Sequence, residues 1–391
     1  MKPRIPNSQH GFTLLELMIA SVIGLVMMVA MTSVFRQATA AAFTITQRAE
    51  TQQNMRTAVE LMTKDISMAG AGLPTGGLQM ANAGGNSKIA CNQTGTCYVP
   101  GAVYPNTNYM TGLIPGFGTG VEASAVIPSA PAAVNDSITS IYCDYNFTLT
   151  NFTFTFPPAA STPATATLVA VPNASLPTNI LAPGGLNVGD LLLFLVQNTG
   201  TGVGAANGQG TSTVNVQNAS AVAEITSISG TGPWAIGFSN PDPLNFNQTG
   251  ANSLSNAVTT AAAAGNTIKV YRLFAVSYFL EVPPAGGTVQ TPRLMRQVNG
   301  LPAVPVADNI INLQFSYDVI NSVTSKIDAN QANPILAGDN LALVQKVNMW
   351  VMGQSLSNGN NRAQSMYLAS SVSAGNMSFC NSLSNSATVC Q

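Results

Sequence analysis

Apolar and polar positions divide the chain into regions of different period. Positions 12 to 35 form a nearly unbroken apolar run, from Phe12 to Phe35, whose only charged side chain is Glu16. As a helix these two dozen residues reach roughly 36 Å, enough to span a hydrocarbon core of about 30 Å with some tilt. From Ile45 the less polar positions recur every three or four residues, at Ile45, Ala49, Gln52, Met55, Val59, Met62, Ile66 and Ala69. That spacing predicts one stripe along a continuing α-helix. Arg48, Glu50, Arg56, Glu60, Lys64 and Asp65 are expected on the opposite, solvated face, and Gly70, Gly72 and Pro74 supply stop signals. The expectation is a helix over 12–72, transmembrane over 12–35 and about 87 Å long to Ala69. No small domain buries such a rod along its whole length, so the second half is expected to lay its stripe on a globular head. A coiled coil fits less well, because Gln52 interrupts the stripe and few heptads are available.

Beyond Pro74 the pattern turns to alternation and to β-branched or aromatic runs, which predict strands. The stronger candidates are 137–144, 147–156, 188–197, 267–282, 294–298, 310–320 and 341–352. The run 188–197 is almost continuously apolar, as a central strand would be, and 267–282 is long enough for two strands or one bent by a bulge. Phe152, Phe154 and Phe156 share one face and read as core. Between these lie Gly/Ala/Ser/Asn/Pro stretches at 70–136, 157–187, 198–221 and 230–266, expected as loops or insertions, and no period suggests a solenoid. The fold class is therefore α+β: a long N-terminal helix packed on a β-rich head over 73–391, with long insertions at about 75–265.

A lone acid five residues into a membrane span needs a partner. The eleven residues before Phe12 are polar, carry Lys2 and Arg4, and end in Gly11 at the hydrophobic boundary. A secretory signal peptide is cut after its apolar region, which would destroy the span; here the cut would precede it. An ordinary signal anchor would leave Glu16 incidental. The joint pattern resembles the type IV prepilin signature: a short basic leader over 1–11 ending in Gly11, then Phe12, then Glu16 at the fifth mature position. The resemblance implies that a prepilin peptidase cleaves between Gly11 and Phe12 and N-methylates Phe12. It further implies that Glu16 pairs with the Phe12 amine of a neighbouring subunit, or its own, and so sets filament register.

A second resemblance lies toward the carboxyl end. Val270-Tyr271-Arg272, Ala275 to Glu281, Pro292 to Arg296 and Val306 to Tyr317 look like the PilW-type minor pilins, as does the helix end from Met55 to Leu73. In that reading Val344 to Met352 is the closing strand. The implied function is a minor pilin of a type IV pilus, acting in assembly initiation or at the tip. The runner-up is a type II secretion pseudopilin, and a third possibility is a pilus-associated adhesin. Implied partners are other major and minor pilins, the prepilin peptidase and the inner-membrane assembly platform. The implied location is single-pass in the inner membrane with a periplasmic head, then the surface pilus.

Charge and chemistry narrow this further. The head has eight basic and eleven acidic residues, so it lacks the basic footprint of a nucleic-acid binder. Arg272, Arg293 and Arg296 are more simply strand-edge charges than a DNA patch. His10 is the single histidine and belongs to the leader, so a mature chain would have no Ser-His or Cys-His catalysis and no histidine metal site. Paired-carboxylate chemistry from Asp136, Asp144, Asp190 or Glu224 stays formally open, but no enzyme is expected. No phosphate-binding G-x-x-x-x-G-K-[ST] loop is present. Asp328, Asn330, Asn333, Asp339 and Asn340 miss EF-hand spacing and read as a solvated loop; no metal and no cofactor are expected. Five cysteines leave the connectivity open. The simplest arrangement staples Cys91 to Cys97 and Cys380 to Cys390 and leaves Cys143 a buried thiol; the alternative pairs Cys143 with Cys91 or Cys97.

Overall fold

The structure is a computed structural model that describes residues 11–73, 77–79, 81, 109–116, 135–144, 149, 152–155, 165–170, 179–181, 184–198, 216–231, 233–249, 253–256, 267–281, 292–299, 301–321, 323–332, 339–355, 364–375 and 377. A single long helix, α1 (Leu14–Ser67), precedes every strand. The strands are β1 (Leu78–Gln79), β2 (Tyr109–Met110), β3 (Leu113–Gly116), β4 (Ser137–Cys143), β5 (Phe152–Thr155), β6 (Thr165–Ala170), β7 (Leu191–Asn198), β8 (Val216–Glu224) and β9 (Ser227–Ser229). They continue with β10 (Trp234–Gly237), β11 (Thr267–Glu281), β12 (Arg293–Val298), β13 (Val304–Asp308), β14 (Ile310–Asn321), β15 (Ile327–Gln331), β16 (Asp339–Ser355) and β17 (Gln364–Ser373).

At 54 residues α1 is about 81 Å long. Along its first two-thirds nearly every residue is exposed. Each large apolar side chain from Phe12 to Phe35, and then Phe43 and Ile45, is exposed. Burial begins at Thr51 and continues through Met55, Ala58, Val59, Met62, Asp65 and Ile66, which are three or four residues apart as one helix face requires. The helix stops where the glycines are: Met68 caps it, and Gly70 and Gly72 take φ of 81° and 74°.

The central sheet runs β13-β12-β11-β4-β3, with β7 pairing β11 and β8 pairing β7. Fifteen-residue β11 organises it: Thr267–Leu273 pairs with β7, Leu273–Tyr278 with β4 and Val276–Glu281 with β12, all antiparallel. Because side chains alternate, one face of β11 serves two cores in succession. Val270 packs in a cluster with Leu192, Phe194, Ala221, Trp234, Ile236 and Phe238, closed by the sheet β5-β6-β10-β9. Farther along the same face Val276, Tyr278 and Leu280 join Met55, Ala58, Met62 and Ile66 of α1. The opposite face places Leu273 and Ala275 in a third cluster with Ile141, Cys143, Leu191 and Leu193. The sheet β15-β14-β16-β17 completes the core around α1 with Leu313, Phe315, Tyr317, Val347, Met349 and Val351.

Several expectations are corrected. The stretches 70–136, 157–187, 198–221 and 230–266 are not simply loops: β1, β2, β3, β6, most of β8 and β10 lie within them. Gly, Ala, Ser and Asn have low strand propensity, and these segments become strands by pairing and burial, as Ile236 and Trp234 do in β10. Within 147–156 the described strand is Phe152–Thr155, and of the two forms expected for 267–282 the structure has the single strand Thr267–Glu281. β16 does not close the sheet, since β17 follows and pairs along it from Lys346 to Ser355. In β17 Met366, Leu368 and Val372 alternate with exposed Ser365, Tyr367, Ala369, Ser371 and Ser373, but only Val372 is fully buried, so the apolar face is short.

Candidate functional site: the processing motif and the seat of the helix

The chain enters α1 through an exposed turn. A Cβ placed on Gly11 would meet no atom within 4 Å, and Phe12 is 88% exposed. Thr13 is the N-cap in extended conformation, and with Glu16 it forms a capping box. Glu16 N donates to Thr13 Oγ1 at 3.3 Å, while Thr13 N and Thr13 Oγ1 donate to Glu16 Oε2 at 2.9 and 3.0 Å. Within one chain the Glu16 carboxylate thus satisfies the open N-terminus of the helix. The Glu16 side chain is exposed, four residues after Phe12. The long apolar surface behind them is one helix long and apolar enough to cross a membrane.

At the other end α1 is held by a buried carboxylate. Asp65 is 4% exposed and accepts three hydrogen bonds from three different strands. Tyr142 Oη of β4 donates at 3.0 Å, Tyr278 Oη of β11 at 2.5 Å and Arg296 Nε of β12 at 2.9 Å; Arg296 Nε also reaches Tyr278 Oη at 3.1 Å. Burial, reinforced by the Asp65 carboxylate, pushes both tyrosine hydroxyls up, so they stay protonated donors. Burial alone would lower Arg296, but the bonds to Asp65 and Tyr278 outweigh it and hold the guanidinium charged. The expectation of a solvated Asp65 is therefore corrected. The signal was present: Asp65 follows Met62 by three and precedes Ala69 by four, on the stripe itself.

Close backbone contacts finish the seat. Past the helix, Gly70 N donates to Ile141 O at 2.9 Å and Cys143 N to Ala71 O at 2.8 Å, so the exit segment runs along β4. A Cβ on Gly112 would lie 2.4 Å from Gly70 N, and one on Gly353 would lie 2.8 Å from Thr51 Cγ2. Glycine at 112, just before β3, allows the close approach to the helix exit at Gly70, and glycine at 353 leaves room for the Thr51 and Met55 side chains of α1 against β16.

Elsewhere the charged residues singled out in the sequence are absorbed into structure. Arg272, between the two cores of β11, pairs with Asp144 (Nε to Oδ2 2.9 Å), donates to Gly184 O and Gly185 O at 2.8 and 2.9 Å, and lies over the Phe274 ring. Arg293 meets Glu281 at 2.7 Å, so each of the three arginines faces a carboxylate rather than forming a common patch. Asp136 accepts from Phe315 N at 2.9 Å. Asp190 accepts from Asn187 N and Asn299 Nδ2, and burial raises its pKa. Asp328 and Asn330 are bonded to Asn321 and Asn348 within β14–β16. Phe152 is buried edge-on against Trp234, Phe154 is half-buried, and Phe156 lies outside the described residues. Cys143 is a free buried thiol donating to Gly72 O at 3.4 Å, its pKa pushed up to about 12 by burial and by Asp144. Cys91, Cys97, Cys380, Cys390, Asn333 and His10 lie outside the described residues, as does the leader before Gly11.

Residues 6–32 match the family described as the prokaryotic N-terminal methylation motif. The match supports a type IV pilin-like protein. That statement covers the pseudopilins as well, because the match spans Gly11, Phe12, Glu16 and the apolar half of α1 but none of the head. Prepilin peptidase processing and pilin partners follow from the motif, and the apolar helix fits a membrane-anchored subunit. Comparison with curated proteins and with solved structures gives no match.

Proposed function

We propose that the chain is a minor pilin of a type IV pilus, made as a single-pass inner-membrane precursor and extracted into the filament at its initiation complex or tip. The observation that carries the reading is one helix with two fates. Its first turns bear the processing motif and a wholly exposed apolar surface, while its last turns are clasped by the head at Asp65. Apolar surface of that extent is unstable in water and calls for lipid or sister helices.

Each step has a residue. Cleavage after Gly11 frees the Phe12 amine, which methylation leaves cationic. In the membrane Glu16 keeps its capping box. In a filament the same carboxylate meets the amine of a neighbour and fixes axial register, since an unpaired charge in that apolar setting is costly. The clasp transmits the axial pull on the helix to the head. Assembly rather than catalysis is the function, and no cofactor enters it. The PilW-like segments in β11, β12 and β14 favour the minor-pilin class over a secretion pseudopilin.

The test is the N-terminal mass of membrane-extracted protein together with a deletion strain. N-methylated Phe12 and loss of piliation support the proposal. Intact Met1 refutes processing; intact piliation with lost protein secretion moves the subunit to the pseudopilins. Normal piliation with lost surface attachment favours an adhesin.

A further inference from the structure

Beside β8 lies a pair of carboxyl groups that assembly does not use. Glu224 ends β8 with no exposed surface, and Asp242, 5% exposed, lies in the loop after β10. The loop is wrapped around them. Asp242 accepts Phe246 N at 2.6 Å and Asn247 N at 3.0 Å, one on each oxygen, which is the pattern of a carboxylate. Glu224 Oε2 accepts Leu244 N at 2.8 Å, while Glu224 Oε1 is buried with no acceptor-type bond. Asn247 completes the ring: its Oδ1 accepts Glu224 N, and its Nδ2 donates to Glu224 O and Ser239 O.

Two facing carboxylates cannot both stay ionised out of water, and the unbonded Oε1 is the place for a proton. We propose that Glu224 and Asp242 share one proton, and that this proton latches residues 240–248 against the third cluster, where Leu244 and Phe246 pack, so that the loop loosens as the medium turns alkaline. Among the described residues the surroundings supply no competing charge. β7 sets Leu191 opposite Glu224, the Asp190 carboxylate is turned to Asn187 and Asn299, and the turn after β8 contributes the Thr226 hydroxyl. Asp242 is the ionisable group that acts on Glu224 among the described residues. A proton on Oε1 donates to Asp242 and leaves all the loop N–H bonds in place.

The loop is also one wall of a cavity of about 170 Å³, lined by Phe238, Phe246 and Leu254 with Asn240 and Gln248. Loosening the latch therefore opens apolar surface of the Val270 and Leu273 clusters, between which the cavity lies. Burial first, and Asp242 next, raise the Glu224 pKa to about 8 against the opposing Leu244 N–H. In the sign convention of linkage, an opened loop lets Glu224 ionise near its ordinary value and a closed loop holds the proton. Closure is then fully favoured below about 4.5 and its advantage is lost as pH rises to about 8.

The experiment is hydrogen exchange of the full chain in detergent micelles, corrected for intrinsic rates, between pH 5 and pH 9. Protection at the Leu244, Phe246 and Asn247 amides is expected to fall with pH by up to about tenfold per unit, the slope of one linked proton, and to level off above about 8. Glu224→Gln, whose amide can still donate to Asp242, is expected to hold constant protection. Unchanged protection in the wild type, or the same slope in Glu224→Gln, overturns the proposal. An infrared readout does not depend on variants folding. A protonated-carboxyl band at pH 6.5 that fades toward pH 9 is expected, and its absence in the wild type also overturns the proposal.

Discussion

Replacing Asp65 should unseat the helix from the head. The carboxylate accepts from Tyr142, Tyr278 and Arg296 at 3.0, 2.5 and 2.9 Å and is 4% exposed. Asp65→Ala removes three bonds, two from neutral hydroxyls and one from a charged donor, and leaves a partly buried guanidinium without its counter-ion. Breaking a buried pair in this way costs about 3–5 kcal/mol. Asp65→Asn keeps one carbonyl acceptor and the side-chain volume, so about 1.5–3 kcal/mol is expected. Tyr142→Phe and Tyr278→Phe, each leaving one acceptor bond unmade, should cost about 1–2 kcal/mol. Arg296 has a side chain 27% exposed, so water softens its loss, and Arg296→Met should cost less than Asp65→Ala. The assay is urea unfolding of the detergent-solubilised chain followed by Trp234 and Trp350 fluorescence, with an Asp65→Asn/Arg296→Met double-mutant cycle. A coupling of about 1–3 kcal/mol is expected. Asp65→Ala within 0.5 kcal/mol of wild type, or zero coupling, would refute the reasoning. If the clasp transmits axial pull, piliation should fall in the same order as stability.

Other tests address the remaining contacts. Gly11→Glu should abolish the mature band while leaving far-UV helicity unchanged, because no atom lies within 4 Å of a Cβ there, so the block falls on the peptidase and not on folding. Glu16→Val should be processed normally yet assemble poorly, read as mature-sized protein in the membrane and few pili; normal piliation would remove the register argument. Gly112→Val sets a side chain against the Gly70 backbone and should cost about 3 kcal/mol by urea unfolding, whereas Gly353→Ala, which meets the movable ends of Thr51 and Met55, should cost about 1 kcal/mol. Site-resolved alkylation at pH 8 should leave Cys143 unmodified in the native state and modify it in urea, since its thiol pKa is pushed up to about 12.

The fold and the site were legible to different depths, and particular residues show why. Local signals were enough for the first 72 residues. An apolar run of membrane length, one acid, a glycine before it and glycines at the far end specified α1 and its bounds to within a few residues, because helix formation depends on neighbours three and four apart. The most apolar strands, β4, β7, β11, β14 and β16, were equally visible through alternation and β-branched content.

Tertiary structure alone decided what pairs with what. β6, β8 and β10 carry too little intrinsic preference to declare themselves and exist because partners pair with them, on both edges for β6 and β10 and along β7 for β8. Asp65 read as solvated because charge is normally exposed; only the arrival of Tyr142, Tyr278 and Arg296 from strands separated in sequence makes its burial affordable. Glu224 and Asp242 are eighteen residues apart and unremarkable on paper, and their shared setting follows from how a loop folds back on β8. The chain itself thus determined the motif, the rod and the strand-forming stretches, which rest on short-range periodicity. Register, the clasp and the buried carboxyl pair rest on long-range contacts that no local pattern encodes.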